Sequence, residues 1–412
     1  MQRRPGGKRR SAAKGASAPV RATDCPCLVH DDRKNDMPMA MHGTYSAPRR
    51  LRSGAGTFRL VRLVGTGGKM TTTDLEPGTW TAASGGMPLP AATTAAGRPS
   101  PSPRGPDLTV IVVSYNTRAL TLKCLETLYS NTAVPFRCVL WDNDSEDGSA
   151  TAVAAAFPQV DVVASRDNLG FARANNVVAE GADTEWLLLL NPDTEVHPGA
   201  IDALMAFSMA HPEAGITGGR TVFPDGSLNI ASCWMRITPW SAFCMATGLT
   251  TVFRGSALFN PEGMGSWQRD TVREVDIVVG CFLMIRRSLW NELGGFDLRY
   301  FMYGEEADLC LRARAKGYRP MITPEAQIMH LVGASSGKVA NKVMMVAKSR
   351  VTLIRDHWPA ALVPLGVGLM WLWAGTRVAA ALALALAGRG AALEKWRLIW
   401  AGRRDWLAGY RA

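Results

Sequence analysis

Two acidic patterns hold the residues of this chain best suited to chemistry. The apolar run Trp186-Leu187-Leu188-Leu189-Leu190 ends in Asn191-Pro192-Asp193, which sets a carboxylate at the carboxyl end of a strand. Mg2+ and Mn2+ prefer carboxylate oxygen, a few waters and substrate phosphates, so Asp193 suits a cation that neutralises a departing diphosphate. The second pattern, Glu305-Glu306-Ala307-Asp308, opens a helix and sets Asp308 four residues before Arg312. Acids there complement the helix dipole, and Asp308 with Arg312 makes an ordinary i,i+4 pair. His330 is the one histidine that follows a predicted strand beside polar loops.

Three polar loops stand near these acids in the order of the chain. Ser114-Tyr115-Asn116 follows the first strand and reads as a turn and helix cap. Asp142-Asn143, with Ser145, Asp147, Gly148 and Ser149, reads by itself as an N-cap loop. Arg166-Asp167-Asn168-Leu169-Gly170-Phe171 precedes a helix carrying Asn175 and Asn176. Gly170 lets the backbone approach a ligand, and the helix that begins there offers unpaired N–H groups.

The elements that must position these residues alternate. Leu108–Ser114 is β-branched and continuously apolar, as in a strand covered on both faces of a parallel sheet. A helix from Arg118 to Tyr129, strands at Cys138–Trp141 and Val160–Ala164, a helix from Phe171 to Ala179 and a strand at Trp186–Leu190 continue the rhythm. Such alternation predicts right-handed crossovers, a mostly parallel doubly wound α/β sheet and ligands outside the strands' carboxyl ends. Residues 224–272 show no period and receive no elements. Order resumes at Val275–Ile285, a short helix leads to Gly294-Gly295, and Glu305–Lys316 is a second helix ended by Gly317.

Composition divides the chain unevenly. Residues 1–106 carry 17 Lys+Arg against 6 Asp+Glu, while 107–412 carry 29 of each sign, so the whole net charge of +11 lies in the first part. That part is rich in Gly, Pro, Ser, Thr and Ala, and is expected to be a disordered basic extension. Its charges lack aromatic interleaving, so no nucleic-acid partner is expected, and Met70 or Met87 would serve as a natural start. The eight cysteines fit neither a disulfide framework nor a zinc site, and those inside apolar elements read as buried hydrophobes of a reducing cytosol. Ala361–Thr376 is uncharged, then Arg377 interrupts before Val378–Gly388. An Arg near the centre of a spanning helix costs roughly 2.5–3.5 kcal/mol. Interfacial or re-entrant helices on a membrane surface are therefore expected, flanked by Arg389, Lys395, Trp396, Trp400 and Arg404.

Taken in order, these motifs resemble those of family-2 glycosyltransferases, especially bacterial rhamnosyltransferase-like members, over Asp107 to Gly337. The resemblance implies a GT-A-type domain at 107–337, between the extension 1–106 and a C-terminal helical, membrane-associated segment 338–412. It places a nucleotide-contacting loop at Ser114, Tyr115 and Asn116, and makes Asp142 the carboxylate on the donor base. It identifies Asn168–Asn176 with an N-x-G-F-x-x-A-x-N loop and takes Asn168, Gly170 and Asn175 within it as donor-binding residues. Asn191 replaces the first acid of a D-x-D motif, leaving Asp193 and His330 as ligands of Mg2+ or Mn2+, and Gly333–Gly337 resembles a mobile cover. Glu306 stands where members carry an Asp as general base, keeping the carboxylate and adding one methylene.

The resemblance further implies inverting transfer of rhamnose or another hexose from a nucleotide diphosphate. The acceptor is a hydroxyl of a glycan or polyprenyl-linked glycan in cell-envelope polysaccharide synthesis, at the cytoplasmic face of the membrane. A nucleotidyltransferase would want a Gly/Arg/Lys-rich loop after the first strand, and a dehydrogenase G-x-G-x-x-G; Ser114-Tyr115-Asn116-Thr117-Arg118 is neither. A catalytically inactive scaffold of the same fold is the non-enzyme alternative, with Glu306 as its support.

Overall fold

A computed structural model describes residues 58–64, 69–75, 107–331 and 339–411 of the 412. The Gly333–Gly337 loop and most of the basic extension lie outside the described residues. Within the extension, however, β1 (Phe58–Val64) and β2 (Lys69–Leu75) form an antiparallel hairpin. This corrects the expectation of a disordered segment over all of 1–106. The run Phe58-Arg59-Leu60-Val61-Arg62-Leu63-Val64 is short and rich in β-formers, and β1 pairs with an otherwise open sheet edge, which supplies backbone partners that the run lacks alone.

The expected strands and helices are present. β3 (Leu108–Ser114) is buried along its whole length, and α1 (Arg118–Asn131) leads to β4 (Phe136–Asp142). Next come α2 (Ser149–Ala156), β5 (Asp161–Ala164), α3 (Gly170–Glu180) and β6 (Trp186–Leu190). β3 lies between β4 and β6 with both pairings parallel, and β5 runs parallel to β4. The parallel strands are apolar on both faces because helices cover both.

β7 (Thr194–Val196), α4 (Ala200–Ala210) and β8 (Ile216–Val222) carry the chain to the far side of the sheet. Residues 224–272 contain β9 (Leu228–Asn229), β10 (Cys233–Trp234), α5 (Pro239–Thr247) and α6 (Leu249–Val252). After β11 (Arg273–Glu274) and β12 (Ile277–Val278), β13 (Phe282–Arg286) inserts antiparallel between β6 and β8. α7 (Arg287–Leu293), α8 (Glu305–Ala315) and β14 (Met321–His330) complete the sheet, with β14 parallel to β8 and antiparallel to β7. The result is a mixed α/β sheet, parallel in the half that carries the first polar loops and joined by antiparallel strands beyond it.

Four helices close the chain: α9 (Val339–His357), α10 (Val363–Leu386), α11 (Leu393–Ala401) and α12 (Arg403–Ala408). They share one apolar core with α5, in which Trp373, Trp396 and Trp406 meet Met245 and Ala246. α10 runs unbroken through Arg377, where the sequence predicts two segments. Its charge is accommodated because Nη2 donates to Met245 O at 3.2 Å and Thr251 Oγ1 at 3.4 Å, so the guanidinium points at α5 and α6. Cys124, Cys138, Cys233, Cys244, Cys281 and Cys310 are free and buried, as expected.

Candidate active site

Strand register gathers the polar loops. Ser114 pairs with Asp142 across β3 and β4, and Asp142 with Ala164 across β4 and β5. Three carboxyl ends therefore open at one level. Ser114 Oγ donates to Asp142 Oδ1 at 3.1 Å, and Ser145 N donates to Oδ2 at 3.0 Å. Burial nevertheless pushes the Asp142 carboxyl above its ordinary value, against those hydrogen bonds. Asn116 adopts φ +52° and exchanges hydrogen bonds with Ser145 and Glu146, so it shapes the loop more than it faces the cavity.

The second loop is locked from below. Asn143 Oδ1 accepts from Trp141 Nε1 at 2.9 Å and Leu169 N at 3.1 Å, while its Nδ2 donates to Gly170 O at 3.2 Å. Gly170 has φ +76°, and a Cβ there would stand 2.5 Å from Phe301 O; only glycine fits this junction with the loop before α8. Asn168 Oδ1 caps Gly170 N at 3.0 Å. Asn175 is fully buried on α3, with Nδ2 donating to Phe171 O at 2.9 Å.

At the third loop, Thr194 of β7 pairs with His330 of β14, so strand pairing sets His330 beside Asp193. His330 Nε2 lies 3.3 Å from Asp193 Oδ1 and 3.4 Å from Asn191 Nδ2. Burial pushes Asp193 upward, but the His330 hydrogen bond and charge, with Lys342 of α9, outweigh it and hold the carboxyl below its usual value. Burial pulls His330 down, yet Cys281 and Asp193 beside it push it up to about 10. The proton on this buried imidazole answers a carboxylate that a divalent cation could equally satisfy. Among the described residues no group of three or more His, Cys, Asp or Glu gathers. The pair suits a cation that takes its remaining ligands from phosphate and water.

Three acids open α8 in different surroundings. Asp308 is buried and engaged: Oδ2 accepts from Arg312 Nε at 2.7 Å, and Oδ1 lies 2.9 Å from His357 Nε2. Arg312 also donates to Leu293 O at 2.6 Å and Gly295 O at 2.8 Å, pinning α8 to the turn after α7. Glu305 and Glu306 each keep a buried Oε2 with no hydrogen-bond partner. Burial and the neighbouring Glu306 charge push Glu305 well above its ordinary value, and burial pushes Glu306 up as well. Glu306 is the less buried of the two.

A cavity of about 410 Å³ joins these groups. Of the residues expected to bind donor or metal, Ser114, Tyr115, Asn168, Asn191, Asp193 and His330 line it, together with Glu305 and Glu306. Asp142, Gly170 and Asn175 stand behind the wall and hold its loops. Sequence reasoning missed the opposite wall. Lys342 and Arg350 of α9, Glu262 after α6, Trp234 of β10 and Arg377 of α10 all face the same space. Arg350 and Glu262 form a bidentate pair, with both N–O distances 2.8 Å. The helical spacing of Lys342, Met345, Ser349 and Arg350 was the available signal.

Residues 109–294 match the profile of glycosyl transferase family 2. N-acetylglucosaminyl-diphospho-decaprenol L-rhamnosyltransferase of Mycobacterium tuberculosis is 29% identical over 259 residues, covering 56% of this chain and 78% of that protein. Rhamnosyltransferase WbbL of Escherichia coli is 25% identical over 228 residues, covering 54% of this chain and 82% of that protein. Among solved structures, mannosyltransferase PcManGT from Pyrobaculum calidifontis, in complex with GDP-Man and Mn2+, aligns with a TM-score of 0.45 at 21% identity. That alignment covers 75% of this chain and 87% of that one.

Proposed function

From its glycosyl transferase family 2 domain over residues 109–294, we propose that this glycosyltransferase moves a hexosyl group with inversion from a nucleotide diphosphate to a lipid-linked glycan hydroxyl. The observation that carries the reading is the contrast on α8. Glu306 presents to the cavity that holds Asp193 and His330 a carboxylate with one oxygen free of any hydrogen bond, while Asp308 is bound on both oxygens.

Each residue then has a physical task. Ser114 and Tyr115 line the nucleotide end, and Asp142 behind them holds Ser114 Oγ and Ser145 N in place and does not itself reach the base. Asp193 and His330 would hold Mg2+ or Mn2+, which when bound offsets charge growing on the diphosphate. Glu306 takes the proton from the acceptor hydroxyl as that oxygen attacks the anomeric carbon from the face opposite the leaving diphosphate, so configuration inverts without a covalent enzyme intermediate. Burial keeps Glu306 basic enough for that task. Asp308, Arg312 and His357 position the helix that carries it.

The rhamnosyltransferase relatives support rhamnose as the donor sugar, and the decaprenol-linked compound in one relative's name supports a polyprenyl diphosphate acceptor. For location we propose the cytoplasmic face of a membrane. Ala360–Leu386 is apolar and long enough to cross one by length and composition, and with 22% of an 18-residue apolar window buried, most of that stretch is left open to lipid. Full-length protein should be incubated with rhamnosyl, glucosyl and mannosyl nucleotide diphosphates, Mn2+ and a short polyprenyl-diphosphate N-acetylglucosamine. Transfer with inverted anomeric configuration is expected. Retention of configuration, or transfer that survives Glu306→Gln undiminished, sinks the mechanism.

A further inference from the structure

Four basic side chains line the cavity among the described residues: His330, Lys342, Arg350 and Arg377. Three of them are engaged. His330 Nε2 meets Asp193 at 3.3 Å, Arg350 grips Glu262 through two nitrogens, and Arg377 donates to Met245 O and Thr251 Oγ1. Lys342, in the first turn of α9, makes no hydrogen bond or ion pair among the described residues. Its ammonium sits instead over the ring of Tyr303, 5.6 Å from the centroid. A ring face attracts a cation without taking up all of its N–H donors, so Nζ has hydrogen bonds left to give a ligand.

The surroundings of Lys342 put it at the Asp193 end of the cavity. Burial lowers the ammonium from its ordinary value, and Asp193 is the one acid whose charge opposes that. The same interaction helps to hold the Asp193 carboxyl low, whereas neither Glu305 nor Glu306 feels Lys342. α9 is fixed in this place by the turn before α8. Ser349 Oγ donates to Tyr303 O, and a Cβ on Gly304, at φ +97°, would stand 2.8 Å from the Ser349 Cβ. Lys342 and Ser349 are seven residues apart, two turns along one helix face. The face that grips the Tyr303-Gly304 turn therefore also carries Lys342 into the cavity. A half-buried ammonium with free donors favours a multiply charged oxyanion over a neutral sugar hydroxyl.

We infer that Lys342 donates to the diphosphate of the bound nucleotide and stabilises it as the leaving group, a share of charge neutralisation that comes from α9 and needs no metal ion. The assignment rests on the donor reading of this cavity. The ammonium keeps its proton throughout, since a nucleoside diphosphate departs as a stable anion and the hydrogen bond strengthens as charge grows on it. The residue lies outside the family-matched stretch 109–294, so the C-terminal helices contribute to the donor side of the site as well as walling it.

The test is a binding measurement that needs neither turnover nor metal. Full-length protein in detergent with EDTA is titrated calorimetrically with UDP, dTDP and GDP, and with uridine, thymidine and guanosine. The ratio of diphosphate to nucleoside affinity isolates the phosphate contribution. Lys342→Met should lower that ratio by about ten-fold or more, the worth of a charge-assisted hydrogen bond, with nucleoside affinity within about two-fold. Lys342→Arg should retain most of it. An undiminished ratio in Lys342→Met overturns the assignment, and tighter Mn2+ binding in that variant would then make Lys342 a counter-charge for Asp193 alone. If the variant loses its thermal transition, trace acetylation of wild-type lysines, read by mass spectrometry, decides instead. Protection of Lys342 by the diphosphate and not by the nucleoside supports the contact, and equal labelling refutes it. Wild-type protein that binds no nucleoside diphosphate, with EDTA or with Mn2+, removes the donor reading of the cavity itself.

Discussion

His357, the last residue of α9, holds Asp308 of α8 through an Nε2–Oδ1 contact of 2.9 Å, on the carboxylate oxygen that Arg312 leaves open. A carboxylate engaged on both oxygens is a poor proton acceptor and a good anchor. Two residues earlier on the same helix, Glu306 has the opposite surroundings. This division of labour between neighbouring acids yields the first expectation.

Glu306→Gln should lower kcat by about 100-fold or more with donor affinity within a few-fold, because the amide keeps shape and cannot take a proton. Asp308→Asn should act through stability, costing about 2–3 kcal/mol, reduced from the full buried-pair value because Arg312 and His357 are partly exposed. Steady-state kinetics beside thermal melts separate the two. A stable, inactive Asp308→Asn with an active Glu306→Gln would reassign the base.

The pH profile should carry the mark of burial. Glu306 is pushed above its ordinary value of 4.5, so the reactive carboxylate is lost as pH falls through that raised value. The acid limb of kcat should lie above the range of an exposed glutamate, with a slope of about ten-fold per pH unit. A flat profile down to pH 5 removes Glu306 from the rate-limiting step.

Glu305 gives a stability expectation of definite sign. Burial and the Glu306 charge raise its folded value above the unfolded 4.5, so the fold favours the neutral form. That contribution is fully present below the unfolded value and is lost as pH rises through the folded one. Glu305→Gln stays neutral throughout, so its melting temperature should exceed wild type at pH 8, by roughly 2–4 °C for each kcal/mol relieved. The difference should vanish near pH 4, and a gain larger at acid pH contradicts it.

Metal removal should separate Asp193 from the residues behind it. Asp193→Ala and His330→Ala should each raise the Mn2+ concentration needed for half-maximal turnover by about ten-fold or more, whereas Gly170→Ala should lose about 2 kcal/mol of stability with Mn2+ dependence unchanged. An unshifted Mn2+ titration in the His330 variant would return that histidine to a structural part.

The sheet half around β3, β4, β5 and β6 was legible because each strand there is a short apolar run between turn residues, a pattern set by local chemistry. Asp193, His330 and Glu306 are candidates by resemblance alone, and strand pairing brings the first two together across 137 positions. The segment 224–272 was illegible for a physical reason. It is organised by the buried Arg269, whose guanidinium donates to the carbonyls of Trp267, Gly263 and Ile230, and such a knot leaves no apolar period. β1 and β2 escaped notice because basic residues interrupt their runs, and the edge of β5 that completes them is about a hundred positions away.

The bidentate contact between Glu262 and Arg350 ties the irregular segment after α6 to α9, so the reaction chamber is walled by both halves of the polypeptide. Trimming the C-terminal helices to obtain a tractable soluble fragment would open one side of that chamber and strand an acid that had a mate. If the proposed function holds, exchanging those helices between related enzymes should change what the far wall of the cavity accepts.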